Sequence, residues 1–514
     1  MTADTPLLVI EALAHDGRGI ARTPDGVVFV SDCLPGQTVR TRLLRRKANF
    51  AEACRVELVQ AGPDDRAPLC PHQAQCGGCP WQCLARPAQL RWKEQLLRDA
   101  LQRIGRLTAP PLLPILADPQ ETHFRNKMEF AFGMASDSGT TDRQDGARLC
   151  LGLRQRGGLA VVPVPGCRLL PPETLTVVRS AEELARELSA GDPRLTAHTP
   201  APRPHRGGQG RAGRDRGKGF WRFLTLRRGL APQCGLTPQE ALDRPEDWRI
   251  WAVCLTSPGD ARQRRVVRTL GERLLARHPH LAGFLHEERQ RDDALAQGER
   301  RVFRLGADGG EGEEAGLFRL PLGGQWFTLD AASFFQVNTD AAQLLAREVL
   351  DQLLPALCGR AADARDLPAS GRLLDLYCGV GAPGLLAARH VSETCGLEYD
   401  ARAVRLARRN AAALGCRGVW QAGDAGKLLS ERADAPGSFD AALVDPPRAG
   451  MDAVVREHLL RLRPPHILLV SCNPATLARD AACMAQDYEP LAIRPVDLFP
   501  HTPHLESVSL WRRR

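Results

Sequence analysis

Along the C-terminal third of the chain, apolar residues come in short unbroken runs. Leu373–Cys378 (LLDLYC), Cys395–Tyr399 (CGLEY), Phe439–Pro447 (FDAALVDPP) and His466–Pro474 (HILLVSCNP) each run into a polar or Gly/Pro-rich loop and read as buried strands. Between them ARAVRLARRNAAAL (Ala401–Leu414) has helical periodicity. This alternation predicts an α/β domain over 336–514, a doubly wound, Rossmann-like parallel sheet with its functional residues at the carboxyl ends of the strands. Residues 1–65 show a different pattern. Alternating runs are broken by turn signals at Asp16-Gly17, Pro24-Asp25-Gly26 and Pro35-Gly36, which predicts a small OB-like β-barrel. Arg40, Arg42, Arg45, Arg46 and Lys47 would give it a basic edge suited to nucleic-acid backbone, although a solvated charged strand has the same pattern. Residues 66–335 read as a central mixed α/β domain. An Arg/Gly-rich stretch near 200–219 and an acidic one at 306–316 contain too little apolar material for a core and are expected to be flexible insertions.

Composition narrows the class. With 43% hydrophobic and 25% charged residues over 514 positions, the chain is neither mostly disordered nor collagen-like. The 69 Lys and Arg against 60 Asp and Glu leave +9, a balance that suits a polyanionic partner. No apolar run reaches membrane-spanning length, and the N-terminus has no basic region followed by an apolar core. A cytoplasmic protein without membrane partners is expected. The 16 unevenly spaced cysteines point to metal binding or catalysis in a reducing compartment.

Cys70, Cys76 and Cys79 form C-x5-C-x2-C around Gly77 and Gly78, which let the backbone wrap tightly round a metal centre. A zinc ion or an iron–sulfur cluster needs a fourth ligand, and spacing leaves Cys83 and Cys167 as competitors. The segment Asp375–Gly384 (DLYCGVGAPG) follows a predicted strand, and Glu398 ends the next one, where a carboxylate can accept from ribose hydroxyls. Gly379, Gly381 and Gly384 also satisfy G-x-G-x-x-G, so a nicotinamide enzyme competes with a methyltransferase using S-adenosylmethionine (SAM). D-L-x-C-G-x-G favours SAM, with Asp424 after a third strand placed to meet the adenine amino group. Cys472 lies just after a strand, where a nucleophile would be presented, flanked by Ser471 and Asn473. DPPRAG (Asp445–Gly450) and FPHTPHLE (Phe499–Glu506) supply further polar groups. A glutamate at the edge of a final strand is ordinarily only solvated, and Glu506 becomes a base candidate through its pairing with Cys472.

Together DLYCGVG, DPPRAG, SCNPATLARD and FPHTPHLE resemble the RNA (uracil-5)-methyltransferases, as do SFFQVNT (Ser333–Thr339) and FRNKMEF (Phe124–Phe130). With C-x5-C-x2-C and the N-terminal module, the chain is most similar to the RlmD-type enzymes of 23S ribosomal RNA. That resemblance implies an N-terminal TRAM domain, a 4Fe-4S cluster on Cys70, Cys76, Cys79 and Cys167, and SAM contacts at Gln336, Tyr377, Ala382, Glu398, Asp424 and Asp445. It implies Cys472 as nucleophile, Glu506 as general base, 23S ribosomal RNA as partner and a monomeric enzyme. Two alternatives are a methyltransferase of the transfer RNA T-loop and a non-catalytic RNA-binding iron–sulfur protein. In this chain Ala382-Pro383 replaces the small polar and larger residues usual after G-x-G.

Overall fold

The computed structural model describes residues 6–135, 148–200, 217–358, 371–432 and 437–514. Two compact units emerge: Met1–Leu69 with Cys79–Glu121 and Asp340–Arg514, and Cys70–Gly78 with Thr122–Thr339.

The core of the first unit is an eight-stranded sheet. Its main strands are β1 (Arg372–Leu376), β2 (Glu393–Glu398), β3 (Gly418–Ala422), β4 (Ala441–Val444), β5 (His466–Ser471), β6 (Tyr488–Asp497) and β7 (Glu506–Arg513). They are ordered β3-β2-β1-β4-β5-β7-β6, and Leu116–Ala117 adds an edge strand beside β6. From β3 to β5 every pairing is parallel, as expected. The expectation of a wholly parallel sheet fails at β7, which runs antiparallel to both β5 and β6. A short loop after β6 returns the chain directly into β7, and a hairpin-like return can only make an antiparallel pair.

Local sequence sets the helix starts. Asp400, Asp424, Asp452 and Asn473 each accept a backbone N–H one or two residues into Ala401–Leu414, Ala425–Ser430, Ala453–Leu462 and Pro474–Met484. Pro474 adds a preset φ in the first helical turn. Helix Thr339–Cys358 covers one face of the sheet, with Ala341, Leu345, Val349 and Leu353 packed against Leu373, Leu443 and Leu468. On the other face lie Leu97 and Leu101 of helix Arg86–Arg103, with Leu477, Ala481 and Met484. The same unit contains a six-stranded sheet of residues 7–60, antiparallel except where Gly26–Ser31 pairs in parallel with Phe50–Gln60. Arg40, Arg42, Arg45, Arg46 and Lys47 are all exposed there.

The second unit is built on a seven-stranded sheet whose central strand is Trp221–Gly229. Its one parallel pair, Arg249–Thr256 with Leu281–Glu288, is bridged by helix Ala261–Arg277. Most of the Arg/Gly-rich segment, residues 201–216, lies outside the described residues. Within the acidic stretch at 306–316, Gly306 N donates to the Gly310 carbonyl and Glu311 pairs with Arg268. No described helix is long and apolar enough to cross a membrane.

Candidate active site

Sheet register decides what meets at the carboxyl ends of the strands. Leu376 pairs with Leu397 and with Val444, so Tyr377, Glu398 and Asp445 follow side by side. Ser471 pairs with Ser507 across the antiparallel β5–β7 ladder. Cys472 and Glu506 are the next residues outward from that pair, near enough for the Glu506 charge to act on the Cys472 thiol. The Ser507 hydroxyl donates to the Ser471 carbonyl at 3.1 Å, which fixes the pairing. Cys472 is half-buried, and Glu506 is only 4% exposed.

The glycine loop after β1 takes the backbone the motif requires. Gly379 and Gly381 have φ of +54° and +99°, left-handed values that side chains disfavour, and Tyr377 also enters this region at +62°. Gly384 begins the next helix so close to β1 that a Cβ there would land on the Asp375 carboxyl. Glu398 accepts from Gly379 N at 3.1 Å and from Asp400 N at 2.8 Å, which anchors its carboxylate against the loop. A Cβ at Gly379 would meet nothing within 4 Å, so there is open space against the backbone beside Glu398. This cradle, with a carboxylate at its edge, fits an adenosine-bearing cofactor. Ala382 is half-buried in the same loop, ahead of a cis Pro383, and Asp424 is exposed, its Oδ1 accepting from Lys427 N at 2.9 Å.

Electrostatically these groups form one acidic floor. Burial, then Glu398, raises the Asp445 carboxyl to about 7. Burial, then Asp445, pushes Glu506 well above the usual carboxylate range. Asp375 is raised in the same way, by burial, then Asp445 and Glu398, and its Oδ2 has no hydrogen-bond partner. Burial, followed by Glu506 and Asp445, lifts the Cys472 thiol to about 11, while Arg448 pulls it down. Arg448 belongs to DPPRAG and Asp375 to DLYCG, yet their parts in this field had no sequence signal beyond a charge next to an apolar run. Arg448 also approaches His504 Nδ1 at 3.4 Å, and its carbonyl accepts from Asn473 Nδ2.

The remaining predicted residues divide between the units. Gln336 lies in the second unit, where its carbonyl accepts from Asn126 Nδ2 at 3.0 Å. Cys70, Cys76 and Cys167 are there too, and both Cys70 and Cys76 act on the Cys167 thiol, which burial raises. Gly77 N donates to the Arg154 carbonyl and Gly78 N to Cys76 Sγ, so the paired glycines do fold tightly round a thiol. Cys79 belongs to the first unit, where its carbonyl accepts from Gln82 N. Cys83 packs with Leu13, Leu34, Trp81 and Leu84. Thiols are the donor type that an iron–sulfur cluster takes. Among the described residues, however, no group of three or more His, Cys, Asp or Glu side chains is arranged to hold a metal ion.

Comparison with known proteins points the same way. The profile of the tRNA (Uracil-5-)-methyltransferase family matches residues 436–514, and one described as Conserved hypothetical protein 95 matches 364–470. A protein of Nitratidesulfovibrio vulgaris named as an uncharacterized RNA methyltransferase is 38% identical, over 99% of this chain and 96% of its own length. One of the same description from Thermosynechococcus vestitus is 30% identical, over 98% and 97%. The crystal structure of Pyrococcus abyssi tRNA (uracil-54, C5)-methyltransferase in complex with S-adenosyl-L-homocysteine has the same α/β methyltransferase fold, with a TM-score of 0.65, 21% identity and coverage of 98% of this chain and 100% of that one. Full-length similarity to these relatives, on a sheet of this order, places the chain in the RNA methyltransferase family related to the tRNA (uracil-5)-methyltransferases.

Proposed function

We propose that the protein methylates carbon 5 of a uridine in 23S ribosomal RNA, with Cys472 as nucleophile and Glu506 as general base. The observation that carries this reading is the pairing of Ser471 with Ser507, beyond which Cys472 and Glu506 are the next residues at the adjoining ends of β5 and β7, with the Glu506 charge acting on the thiol. Carbon 5 of uracil is a weak nucleophile. Addition of the Cys472 thiolate to carbon 6 turns it into an enolate carbon, which takes the methyl group. Glu506 as carboxylate then removes the carbon-5 proton, and elimination across carbons 5 and 6 returns the thiolate. A carboxylate whose proton affinity is raised by burial is a stronger base once ionised, which suits Glu506 to this step. Bound SAM supplies the methyl cation. Glu398 and Asp424 would hold its adenosine part, and Gln336, Tyr377, Ala382 and Asp445 are the further positions assigned to it by resemblance. A uracil stacked in RNA cannot reach this strand edge, so the base must flip out.

Cys70, Cys76, Cys79 and Cys167 would hold a 4Fe-4S cluster, as the resemblance implies. The exposed arginines of the N-terminal sheet, a TRAM-like module, would hold RNA backbone. A monomeric enzyme in the cytoplasm is the matching expectation. A second reading, a transfer RNA uridine as target, draws on the printed descriptions of the matching family and of the Pyrococcus structure. Mapping 5-methyluridine across ribosomal and transfer RNA in a deletion strain separates the two. Loss of one 23S position supports the proposal, loss of a T-loop position supports the second reading, and no loss in either overturns both.

A further inference from the structure

We propose that His501 is a positioning residue: its hydrogen bonds to Gln89 and Glu121 hold the loop between β6 and β7 in the one shape that aims Glu506 at the carbon-5 proton. The inference rests on the reading of Glu506 as the base. His501 lies five residues before Glu506, is fully buried, and has a φ of +68°. Residues with a Cβ adopt that conformation uncommonly, and where they do the surroundings help to hold it. Here they do so at every polar atom. His501 N donates to Gln89 Oε1 at 2.8 Å, and its carbonyl accepts from Trp81 N at 2.9 Å. Nε2 lies 2.7 Å from the Glu121 carbonyl, which can only accept, so the proton sits on Nε2. Nδ1 then accepts from Gln89 Nε2 and Arg66, each at 3.4 Å. Burial holds the imidazole below its ordinary range, in keeping with this neutral tautomer.

The rest of the loop is fastened to the same frame. Buried Lys93 donates to Asp497 Oδ1 at 2.6 Å and to the Phe499 carbonyl at 2.9 Å, and Arg86 pairs with the other Asp497 oxygen. Thr502 Oγ1 donates to the Phe499 carbonyl at 2.8 Å and accepts from His504 N at 3.2 Å, leaving only buried Leu505 before the base. Helix Arg86–Arg103 thus works as a jig. It touches no reacting atom, yet it fixes the backbone that carries Glu506. The charged groups that act on His501 are Arg66, Arg86 and Glu121, whereas burial and Asp445 act on Glu506.

The test uses the full-length protein, labelled SAM and target RNA from the deletion strain in single-turnover reactions. It reads S-adenosylhomocysteine, free 5-methyluridine and the methylated protein–RNA adduct on a denaturing gel. His501→Gly relieves the backbone but removes the imidazole. It should keep SAM affinity and S-adenosylhomocysteine formation near wild type, slow 5-methyluridine release by about a hundredfold, the cost of an ångström-scale misplacement, and accumulate the adduct as Glu506→Gln does. His501→Asn tolerates left-handed φ and keeps an N–H donor, so it should recover part of the release rate. If His501→Gly fails to fold, Gln89→Leu removes the acceptor for His501 N and must show the same split. Wild-type release in either variant, or a proportional loss of every step including SAM binding, overturns the proposal. If Glu506→Gln itself forms no adduct, the base assignment is what has failed, and the positioning role falls with it.

Discussion

At position 472 a thiolate is needed where burial and two carboxyl neighbours oppose negative charge, and the thiol is pushed up to about 11. Below that value the thiolate fraction grows tenfold with each pH unit. Iodoacetamide labelling of Cys472 should therefore rise steadily from pH 7 to 10, and Arg448→Ala, which removes the cation that pulls the thiol down, should slow it at every pH. Labelling that levels off near pH 7 would show a thiol activated in some other way. Cys472→Ala should keep SAM affinity and make no 5-methyluridine. Asp445 is raised as well, into a lower pH window. Its carboxyl is raised to about 7, so the stability it lends the cofactor-free protein is full at acid pH and is lost as pH climbs through 7. Ionisation over the same window favours a sulfonium ligand. SAM should bind more tightly at pH 8 than at pH 6, while the unliganded protein melts lower. Asp445→Asn should flatten both trends, as read by calorimetry and thermal unfolding.

Among the elements, the turn from β1 into helix Gly384–Ala388 has the least room. Adding one methyl group at Gly384 places it on the buried Asp375 carboxyl. Overpacking of this kind typically costs about 1–3 kcal/mol, and here it also deforms the cradle beside Glu398. Gly384→Ala should thus lower the melting temperature and weaken SAM binding together. At the next loop along, Asn473 caps helix Pro474–Met484 and bonds the Arg448 carbonyl. Asn473→Ala should cost about 1 kcal/mol in urea unfolding, the usual value of a lost cap. Binding of SAM unchanged by Gly384→Ala would mean that the helix start does not shape the cofactor site.

For the whole molecule, the sheet bearing the site is not self-sufficient. Leu97 and Leu101 pack into its core, Leu116–Ala117 extends its edge, and Lys93, fully buried, pairs with fully buried Asp497. A fragment beginning at residue 336 would expose that face and strand an uncompensated carboxylate. It should be insoluble or lack cooperative unfolding, whereas the full chain unfolds cooperatively. Lys93→Met leaves Asp497 with Arg86 and the Phe499 N–H, and breaking a buried pair in this way typically costs about 3–5 kcal/mol, measurable in denaturant melts. Little change would mean that these two partners suffice for the carboxylate.

Local sequence determined the strands of the parallel half, helix Ala401–Leu414 to the residue, the glycine loop and the carboxylate ending β2, because periodicity, caps and turn residues act over a few positions. The antiparallel course of β7 was not legible, since nothing within a strand records its partner's direction. That direction brings Cys472 and Glu506 to adjoining strand ends, and it buries a glutamate of a kind that is ordinarily solvated at a strand edge. Equally hidden was the alliance of helix Arg86–Arg103 with a loop some four hundred positions later. A buried lysine and an aspartate find each other only when the chain closes into its tertiary structure, because a charge buried without a partner is too costly to keep.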